Sequence, residues 1–115
     1  MKVKYIRKGE YQGNMMTIGK VYEVLAIEYD CYRILNDNQD PCLYDSDQFE
    51  ITDDSEPDFW VEHTETDEDG NIEKSFGPLA WQNNYFFEDY HDKDKKIVQQ
   101  FWVDCETLYG IKKRA

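Results

Sequence analysis

The sequence predicts an α+β protein: a small β-barrel of five short strands over residues 1–52, then a β-hairpin and one long C-terminal helix over 57–111. Three observations predict it. Between residues 92 and 110, Ile97, Val98, Phe101, Trp102, Cys105, Leu108 and Tyr109 recur at three- and four-residue spacing, which places them on one helix face. Upstream, runs rich in β-branched and aromatic residues are separated by Gly, Asn and Asp, as short strands and tight turns require. Residues 59–66 alternate toward Asp69-Gly70, a hairpin signal. A stripe holding a Trp, a Phe and a Tyr is too apolar to leave in water. The helix is therefore expected to pack on the sheet with Trp102 buried, and barrel, hairpin and helix to form one compact unit.

In order along the chain, residues 2–7 alternate charge with Val3 and Tyr5 and read as a first strand. Residues 8–19 hold Gly9, Gly13, Asn14 and Gly19, so a long loop is expected. The run KVYEVLAIEY at 20–29 and the run CYRIL at 31–35 read as a hairpin with a tight break at Asp30. Asn36-Asp37-Asn38-Gln39-Asp40 is a turn whose Asx side chains can bond their own backbone. A short strand then starts at Pro41, which has no N–H to donate and so belongs at an edge or a strand start. Asp45-Ser46-Asp47-Gln48 reads as one helical turn and Phe49-Glu50-Ile51 as the fifth strand. TDDSEPD at 52–58 is a linker by composition. The hairpin follows, turning at Asp67-Glu68-Asp69-Gly70 and returning over 71–76 until Gly77-Pro78 breaks it. Residues 79–90 are expected to be extended and then to make a short helical turn into the main helix. That helix is expected from about Lys93 to Tyr109, with Asp92 as N-cap and Gly110 as the left-handed residue that ends it.

Four segments carry a resemblance: Thr17-Ile18-Gly19-Lys20-Val21-Tyr22-Glu23-Val24, Tyr32-Arg33-Ile34, Asn36-Asp37-Asn38, and the segment from Tyr44 to Ile51. Through them residues 1–52 resemble the small SH3-like domains of bacterial and phage proteins. The resemblance implies an SH3-like barrel and brings no catalytic residues with it. Asp45-Ser46-Asp47 departs from the pattern, where a proline often precedes the last turn. Residues beyond 52 carry no such resemblance.

Composition narrows the function classes. Hydrophobic residues make up 40% of the 115-residue chain and aromatics 16%, ample for a packed core despite a mean hydropathy of -0.87. Met1 is followed by Lys2-Val3-Lys4-Tyr5, and no later run of about 18 apolar residues occurs, so neither a signal peptide nor a membrane span is expected. Cys31, Cys42 and Cys105 are odd in number and widely spaced, as free thiols of a cytoplasmic protein would be. The net charge of -12 is concentrated: residues 53–92 hold thirteen acids against Lys74 alone, whereas residues 93–115 carry a net +3. A field of that sign repels nucleic acid and anionic membranes and attracts basic partners. Acidic loops also simply keep proteins soluble, and charge alone does not choose between the two uses.

The candidate sites divide in the same way. Glu65-x-Asp67-x-Asp69-Gly70-x-Ile72 matches the first eight positions of an EF-hand calcium loop, but Phe76 stands where the bidentate Glu belongs and neither flank is helical. A hairpin turn accounts for the same residues, and no metal site is assigned. His63 and His91, beside Glu62, Glu88 and Asp89, match no ligand spacing and read as ordinary surface or half-buried residues. Cys31 and Cys105 read as small core residues rather than nucleophiles. No phosphate loop, nucleophile elbow or dinucleotide fingerprint is present, so no enzyme and no cofactor is expected. Trp60, Trp81, Tyr85, Phe86, Phe87, Tyr90 and Trp102 lie within or beside the acidic run. Some of these aromatics must be core; any that surface would form an aromatic patch rimmed by carboxylates, the composition of a hot spot for a basic protein.

The expected function is a non-enzymatic acidic binding protein that neutralises a basic protein partner. Immunity proteins for nuclease toxins and phage inhibitors of host defence work in that style, and the likeness is physical only. The contact residues expected are Glu62, Trp81, Tyr85, Phe86, Phe87, Glu88, Asp89 and Tyr90. The alternative is an SH3-like structural or regulatory adaptor that binds a peptide or assembles with itself.

Overall fold

The run at 20–29 supplies two strands instead of one. In the computed structural model, which describes residues 1–9, 15–83 and 85–114, β1 (Lys2–Tyr5) pairs with β2 (Val21–Glu23), while β3 (Ala26–Glu28) pairs with β4 (Cys31–Leu35). Val24 and Leu25 are fully buried at the bend between β2 and β3, so two apolar residues in succession face inward where strict alternation would turn one of them outward. The chain is a mixed α+β structure of two antiparallel sheets and one long C-terminal helix. β5 (Pro41–Asp45), a 3-10 turn at Ser46–Gln48 and β6 (Phe49–Asp53) follow, as expected for residues 41–51. The first sheet has the order β2-β1-β6; the second has the order β5-β4-β3-β8-β7, completed by β7 (Trp60–Thr66) and β8 (Ile72–Pro78). Among the described residues neither sheet closes on itself into the barrel expected over residues 1–52. Of the loop expected over 8–19, Gly13 and Asn14 lie outside the described residues.

Two compact units result, Met1–Leu79 and Ala80–Ala115. The hairpin expected to join the helix belongs instead to the first unit, because β8 pairs with β3 through Ile27↔Phe76 and Glu28↔Ser75. Gly77 and Pro78 do not break the strand; both are buried at its end, where they register with Val61 and Trp60. The core of this unit gathers Val3, Tyr5, Tyr22, Val24, Tyr32, Ile34, Tyr44 and Phe49, with the Phe49 ring 5.5 Å from Tyr5 and 5.7 Å from Tyr32. Polar ties fix the turns around it. Asn36 Oδ1 accepts the Asn38 and Asp40 N–H groups, the Asx turn expected there. Arg33, only 7% exposed, donates through Nε and Nη2 to both Glu28 carboxylate oxygens at 2.7 and 3.0 Å.

The second unit is built on rings. α1 (Phe86–His91) and α2 (Lys95–Tyr109) surround Trp81, whose ring lies 5.1 Å from Phe101, 5.7 Å from Phe87 and 6.0 Å from both Phe86 and Tyr109. Trp81 Nε1 donates to Asp104 Oδ2 at 2.9 Å, so the buried indole is satisfied. The long helix starts two residues later than expected. Lys93 takes a left-handed φ of 64°, Asp92 caps the end of α1, and Asp94 caps α2 by accepting from the Lys96 and Ile97 N–H groups. Two aspartates two residues apart offer the same cap, and only the backbone break at Lys93 chooses between them. Gly110, at φ 67°, ends the helix as expected. The expected stripe divides: Phe101 and Cys105 are fully buried, whereas Trp102 is half-buried and Val103 is 52% exposed. Trp81, which arrives from outside the helical period, takes the core position foreseen for Trp102.

Candidate functional site

The acids of residues 53–69 gather on the linker and the β7–β8 hairpin, and the sheet order puts β7 at an edge. β3 meets β8 only at Phe76 and Ser75, while the β7–β8 ladder continues to Thr66↔Ile72. The distal hairpin is therefore a two-stranded arm, and no residue from 61 to 75 is buried. An arm that hides so little apolar surface gains little from folding on its own account. It carries apolar groups nonetheless: Val61 is 41% exposed and Ile72 66%.

Its tip is held by Asp67, which accepts from the Asp69 and Asn71 N–H groups at 2.9 Å each and from Asn71 Nδ2 at 3.2 Å. The Asn71 backbone donation, with the other turn bonds, holds the Asp67 carboxyl below the ordinary value for Asp. Gly70 supplies the left-handed φ of 82° that this turn needs. The segment is thus a hairpin turn, as the failed calcium-loop match anticipates, and among the described residues no group of three or more His, Cys, Asp or Glu is placed to hold a metal ion.

Cationic partners are few along the arm. Lys74 Nζ lies 3.2 Å from Glu62 Oε1, and His63 Nε2 lies 3.1 Å from Glu65 Oε1. Tyr29, at the β3–β4 turn, has a left-handed φ of 60°, is 51% exposed, and directs its hydroxyl to Glu65 Oε2 at 3.4 Å. A bulky residue in that backbone region carries local strain. Partial burial, and then the neighbouring Glu65 and Glu73 carboxylates, raise the Tyr29 hydroxyl above its usual range.

The eight contact residues named from sequence are divided between the two units. Glu62 is exposed on β7. The other seven belong to the second unit, where Trp81, Phe86 and Phe87 are 6%, 4% and 9% exposed. These three rings are core, which corrects their place in an exposed aromatic patch. Tyr85 is 64% exposed and Glu88 is exposed, while Asp89 and Tyr90 are half-buried. Tyr29, Val61 and Ile72 were missed, because what makes them accessible is strand order, and no local pattern reports that.

Burial raises each of the three thiols above the ordinary cysteine value. Burial and then the hydrogen bond to Asp45 push Cys31 up to about 11, and burial with nearby Asp104 pushes Cys105 up to about 12. All three cysteines are free. Among the described residues no helix is long and apolar enough to cross a membrane. No family model, no curated protein and no solved structure matches the chain.

Proposed function

We propose that the chain is a non-enzymatic acidic binding protein of the cytoplasm, in the physical style of an immunity protein or a phage anti-defence inhibitor, and that its acidic arm neutralises a basic protein such as a nuclease toxin. The observation that carries this reading is the two-stranded hairpin, with no buried residue from 61 to 75, acidic along its edge and tip, bearing Val61 and Ile72 as exposed apolar groups and with Tyr29 of the β3–β4 turn set against Glu65. Carboxylates steer a basic partner in, and the partly desolvated apolar groups hold it. Residues 1–52 are proposed to be SH3-like: one bent run serves both sheets, and a 3-10 turn precedes the last strand. The adaptor reading keeps a place because β7 is a seven-residue edge strand on which an extended peptide can add.

The test compares the wild-type chain with a variant in which Glu62, Glu65 and Glu68 of the arm become Gln and Asp69 becomes Asn. Both are immobilised at low salt and exposed to extract of the native host. A basic protein held by the wild type, lost by the variant and inhibited by the free chain in its own assay supports the reading. Equal retention by both chains, or a retained protein whose activity the chain leaves untouched, refutes neutralisation and favours the adaptor.

A further inference from the structure

Lys95, Val98, Gln99, Trp102, Val103 and Glu106 recur along α2 at intervals of three and four, so they share one helix face. It is not the face that carries the buried Phe101 and Cys105. This face lines a groove of about 810 Å³ to which Lys93 and, beyond the Gly110 cap, Lys112 and Lys113 also contribute. Val98 and Trp102 are half-buried and Val103 is 52% exposed, which gives the groove an apolar floor. Four lysines face one carboxylate, Glu106, itself 4.0 Å from Lys112 Nζ. Among the described residues, no carboxylate lies within ion-pair distance of Lys93, Lys95 or Lys113, and Lys113 Nζ sits over the Trp102 ring at 5.9 Å. The Trp102 indole N–H is buried and has no acceptor among the described residues.

We propose that this groove docks an acidic polypeptide segment of a partner, with an apolar or aromatic side chain set on Trp102 and carboxylates on the flanking lysines. Charge fixes the sign of the occupant. The chain as a whole carries a net charge of -12, so a local cluster of four lysines steers an acidic segment to this groove. Shape fixes its kind: from Lys95 to Glu106 the face runs about 16 Å along the helix axis, the span of roughly five extended residues and more than one anionic group fills. Trp102 supplies the anchor. A partly exposed tryptophan ringed by charged side chains has hot-spot composition. An incoming carboxylate that pairs with Lys113 draws that ammonium off the ring and opens the ring to contact.

The probe is a seven-residue peptide carrying one Phe and one Leu among glutamates, titrated into ¹⁵N-labelled full chain while the three indole N–H signals are followed. Trp102→Phe identifies the signal of interest. The Trp102 signal is expected to move saturably while those of Trp60 and Trp81 stay, and binding should weaken as salt rises. Lys95→Glu combined with Lys113→Glu should lower affinity about tenfold or more, with an unchanged circular dichroism melt showing that the fold is kept. An equal shift with the peptide in which every Glu is Gln overturns the charge argument. No saturable shift overturns the site, and a shift that follows protein concentration without peptide assigns the groove to a second copy and overturns the proposal.

Discussion

The two units use their aromatic residues in opposite ways. In Met1–Leu79 the tyrosines reach through the core and end on polar partners: Tyr22 donates to Asp37 at 2.9 Å and accepts from the Thr17 N–H, and Tyr44 accepts from Asn36. In Ala80–Ala115 the rings stack on one another around Trp81, and the Trp81 bond to Asp104 is the polar tie at their centre. A segment shorter than about 40 residues rarely supports a core, so here each large ring carries a heavy share. The first unit draws on ladders and polar pins as well as burial. Truncating an apolar ring should therefore hurt the second unit most, and acid should act on the first.

The largest effect is expected at the centre of the ring cluster. Phe101→Ala and Trp81→Ala should each cost about 3 to 5 kcal/mol, because each empties a buried site beside other rings. Trp102→Ala should cost less, about 1 to 2 kcal/mol, since that side chain is partly exposed. Chemical denaturation of the three variants checks the ranking. Equal losses at Trp81 and Trp102 would break the distinction between the two faces of α2.

Next in size is the polar pin of the first unit. Asp37 accepts from Thr17 Oγ1 at 2.7 Å, from Lys20 Nζ at 2.8 Å and from Tyr22. Partial burial opposes its charge, but donation by Lys20, Thr17 and Tyr22 outweighs that and holds its pKa below 3.8. Asp37→Ala should cost about 1 to 3 kcal/mol by removing the acceptor of the part-buried Tyr22 hydroxyl. A depressed carboxyl stabilises the fold above its unfolded pKa, and that contribution fades as pH falls below 3.8 toward the folded value. Melting temperature measured between pH 5 and pH 2 should fall less steeply in Asp37→Asn than in the wild type, and parallel curves would show the pin to be inert.

A smaller, kinetic signature belongs to the thiols. With Cys105 pushed up to about 12 and Cys31 up to about 11, iodoacetamide at pH 8 should label both slowly in the folded chain and quickly once it is unfolded. Rapid labelling of Cys105 in the folded chain would mean that the ring cluster opens readily.

What was legible in the sequence follows the range of each signal. The α2 period, the Gly110 cap, the Asn36 turn, the 3-10 turn after Asp45 and the Asp67 hairpin turn are set by neighbours a few residues apart, and all were read correctly. Three features were not. The split of 20–29 between two sheets depends on burying Val24 and Leu25 together, and the hairpin's place beside β3 depends on a pairing across some fifty residues. The exchange of Trp81 and Trp102 arose because periodicity ranks residues within a helix and says nothing of a ring arriving from outside it. The site suffered most: strand order exposes Tyr29 and Ile72, and Phe86 and Phe87 looked surface-bound only because acids surround them in sequence.

The smallest effect separates steering from holding on the acidic arm. Asp67 is unsuitable for that purpose, because it closes the turn through Asp69 and Asn71 and its loss would disturb the tip. Glu68 and Asp69 are exposed, and their carboxylates take no part in the bonds that close it. Glu68→Gln with Asp69→Asn should therefore leave the melt unchanged and slow association with a basic partner a few-fold, flattening its salt dependence, with little change in dissociation. Glu88→Gln with Asp89→Asn removes the same charge from α1, in the other unit. Net charge alone predicts equal effects from the two pairs, so the difference isolates position. If the α1 pair slows association as much as the tip pair, the field of the whole chain steers the partner and the arm is only one part of it. If the α1 pair changes dissociation instead, the contact lies on Tyr85 and Glu88, and the hairpin loses its place as the binding arm.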